Sequence, residues 1–399
     1  MKIAILGYGV VGSGVAEVLK TNATQITKKT GKKIEVKHVL DLRDFPGDPH
    51  EALMTKDFAV IENDPEVKIV VESIGGETAA YDYTKRAILS GKSVCTPNKA
   101  LIAKHGAELF ALAKKKGVNM LFEASVGGGI PLIRPYIDAL CTDQIQAVAG
   151  ILNGTSNYIL TQMSENGTSY ATALKDAQNL GYAEQDPTAD VGGYDACRKL
   201  CILLSLAVDK QVNYENVRTE GIENISTEDF AFGKALGFTL KQIVSGKVYE
   251  SGVGALAAPF FVPLAHPLAA VNDVYNAAWV TGKTTGNVMF YGSGAGKLPT
   301  ASAVVSNIVD AAHMQPLVHG WAPEEAKILP ADKYVTRKII RVTCENPAEI
   351  KKAATLPQYP NQAAWITTAE SEEQTAKSLA EIKKTSGIKT IERVLRIYG

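Results

Sequence analysis

Residues 2–14, KIAILGYGVVGSG, determine how the first part of the chain folds. A short apolar run that favours a β-strand leads into a glycine-rich turn, and residues 15–22 then repeat apolar side chains at helical spacing. Gly7, Gly9 and Gly12 form the pattern GxGxxG between that strand and that helix. Such glycines allow a tight turn, close approach of the backbone to a pyrophosphate, and close packing of helix on strand. The stretch predicts a dinucleotide-binding turn, and a glycine-rich turn without a ligand is the alternative.

The alternation of strand and helix continues beyond this turn. Strands are predicted at 34–40, 69–75, 93–96 and 119–124, and helices at 81–91 and 100–116. Strands that alternate with helices form a parallel sheet with right-handed crossovers. We therefore predict an α/β fold in which residues 1–125 form a doubly wound, Rossmann-type domain.

The pattern changes after residue 125. Residues 126–320 combine helices with glycine-punctuated strand segments at 241–263 and 276–296, which predicts a mixed α+β domain. Residues 335–399 predict a small separate unit of the order strand–helix–strand–helix–strand, with its first helix at AEIKKAA, residues 348–354.

The composition excludes several classes of protein. Of the 399 residues, 46% are hydrophobic and 42 basic residues balance 42 acidic ones, so charge gives no attraction to nucleic acid or to an anionic membrane. The first residues lack the pattern of a signal peptide, and no apolar run reaches the ~18 residues of a membrane span. Five scattered cysteines predict reduced thiols and a cytoplasmic protein. Cys197 and Cys201 have helical spacing, and we interpret them as core residues rather than metal ligands.

Two charged residues near the end of the second predicted strand bear on the choice of cofactor. Asp41 stands where a carboxylate can bond to the ribose 2′-hydroxyl of NAD and repel the 2′-phosphate of NADP. Arg43 could instead accept that phosphate, or be an ordinary surface charge. The sequence favours NAD and leaves NADP open.

Residues 179–199, NLGYAEQDPTADVGGYDACRK, concentrate charge ahead of an apolar helix. Asp195 and Lys199 are four residues apart, so their side chains share a helix face. A lysine near a buried helix end can act as a general acid or base. The alternative is an exposed salt bridge, which contributes little stability.

The same stretch contains a longer pattern. Its members are Ala177, Gly181, Tyr182, Ala183, Asp186, Pro187, Asp190, Val191, Gly193, Asp195 and Lys199. Together with ESIGG (72–76), TPNKALIA (96–103), FEASVGGGIP (122–131), GILNGTSNYIL (150–160) and YGSGAGKLPTA (291–301), it resembles the signature of the monofunctional homoserine dehydrogenases. The resemblance covers about residues 1–320.

The resemblance implies a reaction and its catalytic residues. The family interconverts L-homoserine and L-aspartate 4-semialdehyde with a nicotinamide dinucleotide, in the biosynthesis of threonine, methionine and isoleucine. Lys199 matches the proton donor to the carbonyl oxygen, and Asp195 matches the acid that orients substrate and lysine. Lys99 matches a second lysine where cofactor and substrate meet. A homodimer that acts on a small amino-acid substrate is implied as well.

The resemblance also implies binding residues. The substrate's ammonium group would be held by Glu184, with help from Tyr182, Asp190, Gly154 and Thr155. The cofactor would be bound by Gly7, Gly9, Val10, Val11, Gly12, Asp41, Arg43, Ser73, Lys99, Gly292 and Gly294. The last two glycines belong to a segment, about 292–320, that is implied to return and complete the domain 1–125. A monovalent cation, implied to be sodium, would be bound by oxygens, mostly backbone carbonyls, of Glu123, Val126, Gly128 and Ile130. A glycine hinge is the alternative for that loop.

Residues 335–399 resemble a shortened ACT domain, a small fold that often binds amino-acid effectors. The aspartate and glycine that are usual at the effector turn are missing here. Inhibition by threonine is therefore left open beside a dimerisation or structural role.

Two other functions compete with this one. An aspartate-semialdehyde dehydrogenase would need a nucleophilic cysteine and a histidine base, and Cys95 has no histidine in its block. A non-catalytic dinucleotide-sensing protein would keep the glycine turn, but it would not need Lys99, Glu184, Asp195 and Lys199 together.

Overall fold

A computed structural model of the protein describes residues 1–315, 317, 320–331 and 334–399. The chain divides into two compact units, each made of three segments. The first unit comprises Met1–Ile145, Cys201–Tyr214 and Gly282–Ala326, and the second comprises Gln146–Leu200, Glu215–Thr281 and Lys327–Gly399. The division predicted from the sequence stays a prediction: 1–125 completed by 292–320, then 126–320, then 335–399. Of these predicted domains, residues 316, 318 and 319 lie outside the described part of the chain.

The strands and helices of the described residues have the following bounds. The strands are β1 (Lys2–Leu6), β2 (Glu35–Leu40), β3 (Met54–Thr55), β4 (Val67–Glu72), β5 (Ser93–Cys95), β6 (Met120–Leu121), β7 (Ile145–Ile151), β8 (Lys210–Gln211), β9 (Arg218–Thr219), β10 (Phe238–Tyr249), β11 (Gly252–Pro263), β12 (Tyr275–Gly282), β13 (Gly286–Ser293), β14 (Ala322–Glu325), β15 (Lys338–Cys344), β16 (Ala354–Leu356), β17 (Tyr359–Ile366) and β18 (Ile388–Ile397). The helices are α1 (Val10–Thr21), α2 (Ala23–Thr30), α3 (Phe58–Glu62), α4 (Thr78–Leu89), α5 (Lys99–Lys116), α6 (Gly154–Asn166), α7 (Tyr170–Asn179), α8 (Thr188–Val191), α9 (Tyr194–Val208), α10 (Thr227–Ala235), α11 (Lys297–Ala312) and α12 (Glu372–Ile382). Among the described residues, no helix is both long enough and apolar enough to cross a membrane.

The first unit is built on a parallel sheet with the strand order β3-β2-β1-β4-β5-β6. The strand order reverses between β1 and β4, as in doubly wound dinucleotide-binding domains, and ligands bind outside the carboxyl ends of the strands at such a point. Side chains of the central strands, such as Ile5 and Val70, are completely buried, as expected for a sheet covered by helices. The Rossmann-type prediction is confirmed.

Most predicted elements of this sheet agree with the structure to within a few residues. The last strand is an exception, because β6 ends at Leu121 and a short 3-10 turn, Glu123–Ser125, follows it. Glu123 therefore belongs to this turn rather than to a strand. Helix α9 begins at Tyr194, so Asp195 lies in its first turn.

The second unit contains a mixed sheet with the strand order β12-β7-β10-β11-β18-β15-β17-β16. Its centre is the antiparallel hairpin of β10 and β11, which are paired from Phe238↔Pro263 to Tyr249↔Gly252. Strand β18 runs parallel to β11, with Phe260 opposite Arg396. The C-terminal segment 335–399 is therefore hydrogen-bonded into the sheet of the second unit.

The prediction for the C-terminal segment was wrong in one element. AEIKKAA does not form a helix, since only a 3-10 turn, Pro347–Glu349, precedes β16. Lys352 has a positive φ of 62°, which a helix does not allow. The single α-helix described between β15 and β18 is α12, and the resemblance to an ACT domain stays a prediction.

Candidate active site

A cavity of about 560 Å³ opens at the point where the strand order of the first sheet reverses. Its lining includes five of the predicted cofactor-binding residues, Gly7, Gly9, Asp41, Arg43 and Ser73. The other lining residues are Leu40, Leu42, Lys56, Ile74, Ala79 and Tyr83. The cavity has the size and the mixed apolar and charged wall expected of a site for a small organic ligand.

The glycine turn fits a dinucleotide. Gly7 has a φ of +85°, and a Cβ there would lie 2.6 Å from the carbonyl oxygen of Ser73. A Cβ on Gly12 would overlap the carbonyl oxygen of Gly7, so only glycine lets α1 pack this close to the turn. Gly9 is the N-cap of α1 and has no side chain to cap it, so the first amides of the helix are available to an anion such as a pyrophosphate.

Asp41 faces the glycine turn. Its Oδ2 accepts a hydrogen bond from the backbone N–H of Tyr8 at 2.7 Å, and its two oxygens form a bidentate ion pair with Arg43 at 3.0 and 2.9 Å. The guanidinium of Arg43 holds the pKa of the Asp41 carboxyl well below its usual range. The negative charge that the sequence placed beside the ribose is therefore neutralised by its neighbour.

The structure places the other predicted cofactor residues at different positions. Val10 is exposed and Val11 half-buried at the start of α1, and Lys99 is the first residue of α5. Gly294 approaches Gly128, where a Cβ would overlap the Gly294 carbonyl oxygen. Gly292 faces Ile130. The segment around 292–294 therefore meets the predicted cation loop, and neither glycine lines the cavity.

The sequence did not indicate a buried cluster between β4 and α5. Glu72, the last residue of β4, is fully buried and accepts hydrogen bonds from the Thr96 hydroxyl at 2.6 Å and the Ile74 N–H at 2.9 Å. Asn98 caps α5 through Leu101 N–H and donates to the Gly76 carbonyl. The motifs ESIGG and TPNK contain these residues, but their pairing depends on β4 and β5 being adjacent strands.

Glu123 lies beneath the predicted cation loop and is almost completely buried. Its carboxylate accepts hydrogen bonds from the backbone N–H groups of Leu132, Ile133 and Arg134 at 2.6, 2.8 and 2.8 Å. Burial raises the pKa of this carboxyl. Both oxygens of the side chain thus hold the chain that leads away from the loop.

The other predicted cation-binding residues, Val126, Gly128 and Ile130, are also buried. In the described residues, no cluster of His, Cys, Asp or Glu could hold a metal.

The second unit brings the two predicted catalytic residues of α9 together. Lys199 Nζ donates to Asp195 Oδ2 at 2.8 Å and to the carbonyl oxygen of Leu152 at 2.7 Å. The Nδ2 of Asn153 donates to Asp195 at 2.9 Å and to Asp190 at 2.7 Å. Asp195 and Lys199 are largely buried, so the pair is not the exposed salt bridge that was the alternative. Asn153 was missed, although an asparagine before Gly154 is a typical N-cap signal.

The predicted substrate-binding residues surround this pair only in part. Thr155 donates to the carbonyl oxygen of Tyr182 at 2.6 Å, which ties α6 to the loop after α7. Gly154 packs against Val274, with room for no side chain. Glu184 and the ring of Tyr182 are exposed, and the backbone oxygen of Glu184 accepts a hydrogen bond from Gln178 Nε2. The carboxylate of Glu184 is thus presented to solvent.

Cys95 does not fit the competing enzyme. It is completely buried in β5, and burial strongly raises the pKa of its thiol. A nucleophilic cysteine requires a thiolate that a substrate can reach.

Three features define the class of the protein: a parallel sheet with a cavity at its reversal point, a glycine turn suited to pyrophosphate, and a buried Asp–Lys pair. They are typical of dehydrogenases that use a nicotinamide dinucleotide.

Comparisons with known proteins name the family. Residues 7–123 match the model of the homoserine dehydrogenase NAD-binding domain, and residues 131–309 match the homoserine dehydrogenase model. The chain is 43% identical to homoserine dehydrogenase of Pseudomonas aeruginosa over 78% of its own length and 72% of that protein's. It is 41% identical to that of Synechocystis sp., over 86% and 83%.

A solved homoserine dehydrogenase from Thiobacillus denitrificans superposes with a TM-score of 0.90 at 34% identity, covering 100% of this chain and 98% of that one. The chain belongs to the homoserine dehydrogenase family. It is thus an NAD(P)-dependent oxidoreductase of amino-acid biosynthesis that acts on a CH–OH group.

The buried carboxyl of Glu72 generates a prediction about pH. Burial raises its pKa, so the fold prefers the protonated acid. Its stabilising contribution is complete below the unfolded pKa of about 4.3 and is lost as pH rises through the raised value. Glu72→Gln, which cannot ionise, should unfold at the same urea concentration as wild type near pH 4 and at a higher one at pH 8. Exposed Glu349→Gln is the control, and a Glu72→Gln effect that does not vary with pH would contradict the argument.

Proposed function

We propose that Lys199 is the proton-transferring residue of this homoserine dehydrogenase and that Asp195 orients it. The supporting observation is the double anchorage of the Lys199 ammonium by Asp195 and the Leu152 carbonyl. A general acid must be held at hydrogen-bonding distance from the oxygen that it protonates. A lysine fixed at the start of a buried helix meets that requirement.

The chain's own residues then bind and orient the amino acid. Lys199 gives its proton to the carbonyl oxygen when the aldehyde is reduced, and it takes the hydroxyl proton when homoserine is oxidised. A bound nicotinamide dinucleotide supplies or accepts the hydride. The carboxylate of Glu184, presented to solvent, is suited to the ammonium group of the substrate. Asn153 donates hydrogen bonds to Asp190 and Asp195 and so keeps both carboxylates in fixed positions.

We further propose that both NAD and NADP are accepted. The sequence favoured NAD because a carboxylate repels a 2′-phosphate, but Arg43 neutralises Asp41. The side chains of Arg43 and Lys56 are more than half exposed, and both residues line the cavity. Two cations at the wall can receive a 2′-phosphate. Lys99, at the start of α5, is proposed to act where cofactor and substrate meet.

The monovalent cation is proposed to be bound by backbone carbonyls of the loop 123–130. The Glu123 side chain is occupied by three N–H groups, so this residue would contribute its carbonyl oxygen. Carbonyl oxygens suit a hard cation such as sodium. A homodimer, a cytoplasmic location, the three-domain division and any effector of residues 335–399 stay predictions from the sequence.

Replacement of Lys199 tests the proton-transfer role. Lys199→Ala should lower kcat for homoserine oxidation by about 10²–10⁴-fold, the usual contribution of a general acid or base. The KM for the dinucleotide should stay the same, because that ligand binds the first unit. Lys377→Ala, at an exposed lysine, is the control. Turnover of Lys199→Ala at the wild-type rate would remove the role of Lys199 without affecting the family assignment.

Replacement of Arg43 tests the choice of dinucleotide. Arg43→Ala should raise the KM for NADP by about tenfold, because a charge-assisted hydrogen bond to phosphate contributes roughly 1.5–3 kcal/mol. The substitution also leaves the Asp41 charge unneutralised. NAD has no 2′-phosphate for that charge to repel, so the KM for NAD should change much less. Steady-state kinetics with both dinucleotides measure this ratio. Equal effects on the two would show that Arg43 does not contact the phosphate.

The cation proposal predicts a specific effect of sodium. Enzyme dialysed into choline chloride should have a lower Tm and lower activity than enzyme in NaCl at equal ionic strength, since a ligand that binds only the folded state stabilises it. Identical melting curves and rates in the two salts would argue against a sodium site.

A further inference from the structure

A buried ionic cluster surrounds Arg396 near the end of β18. The side chain is almost fully buried and its guanidinium lies between two carboxylates. It bonds to Glu220 at 2.8 and 3.0 Å and to Glu372 at 3.1 and 2.8 Å. Both pairs are bidentate, the geometry in which arginine fixes direction as well as distance.

The two carboxylates come from different parts of the second unit. Glu372 is the first residue of α12, in the C-terminal segment that also provides Arg396. Glu220 follows β9, and its N–H donates to the Ala257 carbonyl of β11 at 2.8 Å. Arg396 therefore joins the segment 335–399 to the loop 220–222.

The loop 220–222 in turn contacts the chain that begins α9. The N–H of Ile222 donates to the Val191 carbonyl at 2.9 Å. The Glu220 carbonyl accepts from Gln242 Nε2 at 2.8 Å, and a Cβ on Gly193 would lie 2.6 Å from that same nitrogen. Gly193 is thus packed against Gln242 and the loop, with no space for a side chain.

Gly193 sets the start of α9. Its carbonyl accepts a hydrogen bond from the N–H of Cys197 at 3.0 Å, and its φ is +83°. Asp195 lies two residues later, in the first turn of the helix, and Lys199 one turn further on. The position of both side chains therefore depends on where the loop 220–222 holds residues 191–193.

We propose that Arg396 is a positioning residue for the active site. The C-terminal segment uses it to hold Glu220, and through Glu220 and Gln242 it fixes the start of α9 that carries Asp195 and Lys199. This inference rests on the proposed roles of those two residues. It gives the segment 335–399 a part in the reaction that requires no bound effector.

A second buried arginine provides a matched control. Arg341 belongs to β15 of the same segment and is as buried as Arg396. It pairs with Asp229 of α10 at 3.0 Å and with Gln362 of β17 at 2.6 Å. Its bonds fasten the C-terminal segment to Ser226 and Asp229 at the start of α10 rather than to Glu220. Loss of either arginine should weaken the fold, but only Arg396 should affect the start of α9.

The test compares Arg396→Lys, Glu220→Gln and Arg341→Lys in the full-length protein. Lysine keeps the charge and loses the bidentate geometry. Arg396→Lys and Glu220→Gln should lower kcat/KM for homoserine roughly tenfold or more, because small displacements of catalytic groups have effects of this size. The KM for the dinucleotide should stay within about twofold, since its cavity belongs to the first unit. Arg341→Lys should lower Tm by a similar amount and leave kcat/KM within about twofold of wild type.

Two results would overturn the inference: wild-type kcat/KM in Arg396→Lys, or an equal loss in Arg341→Lys. If Arg396→Lys does not fold, Glu220→Gln decides, and wild-type kinetics there overturn it as well. Lys199→Ala is measured in parallel. Full activity of Lys199→Ala would contradict the proposed role of Lys199. If Lys199→Ala is inactive and Arg396→Lys is fully active, only the positioning role of Arg396 is contradicted.

Discussion

The hydrogen bonds that hold Lys199 Nζ between the Asp195 carboxylate and the Leu152 carbonyl are the interaction on which the proposed active site depends. A largely buried charge requires partners, because its desolvation otherwise costs several kcal/mol. One partner lies a turn earlier on the same helix, and the other directly follows β7. The need to satisfy the charge therefore ties α9 to the sheet and holds the proposed proton donor at a fixed point.

Buried carboxyl groups organise the first unit in a related way. Glu72 accepts hydrogen bonds from Thr96 and from the Ile74 N–H, which connects the loops after β4 and β5. Glu123 accepts three consecutive backbone N–H groups and holds the chain after the glycine loop. In both cases burial removes the carboxyl group from solvent and raises its pKa, and the hydrogen bonds of that group fix the loops. Rigid loops at the edge of a sheet are what a dinucleotide site needs.

Local patterns predicted the elements whose residues are neighbours in sequence. The GxGxxG turn, the alternating strands and the spacing of Asp195 and Lys199 all depend on contacts within a few residues. The prediction failed at AEIKKAA, where Lys352 has a positive φ and the chain continues into β16, which pairs with β17. The sequence analysis considered Asp41 and Arg43 together but did not predict their bidentate pairing, because that geometry depends on how the loop after β2 turns.

The sequence by itself determined the α/β class and the family, and it predicted the chemical types of the site residues, since motifs record which side chains a reaction requires. The tertiary structure decided which groups hold them. Leu152 and Lys199 are 47 positions apart, and Glu220 and Arg396 are 176 apart. No local pattern encodes such pairs. They form because a buried polar group must find a partner, and the packing of the sheets and helices decides which partners come within reach.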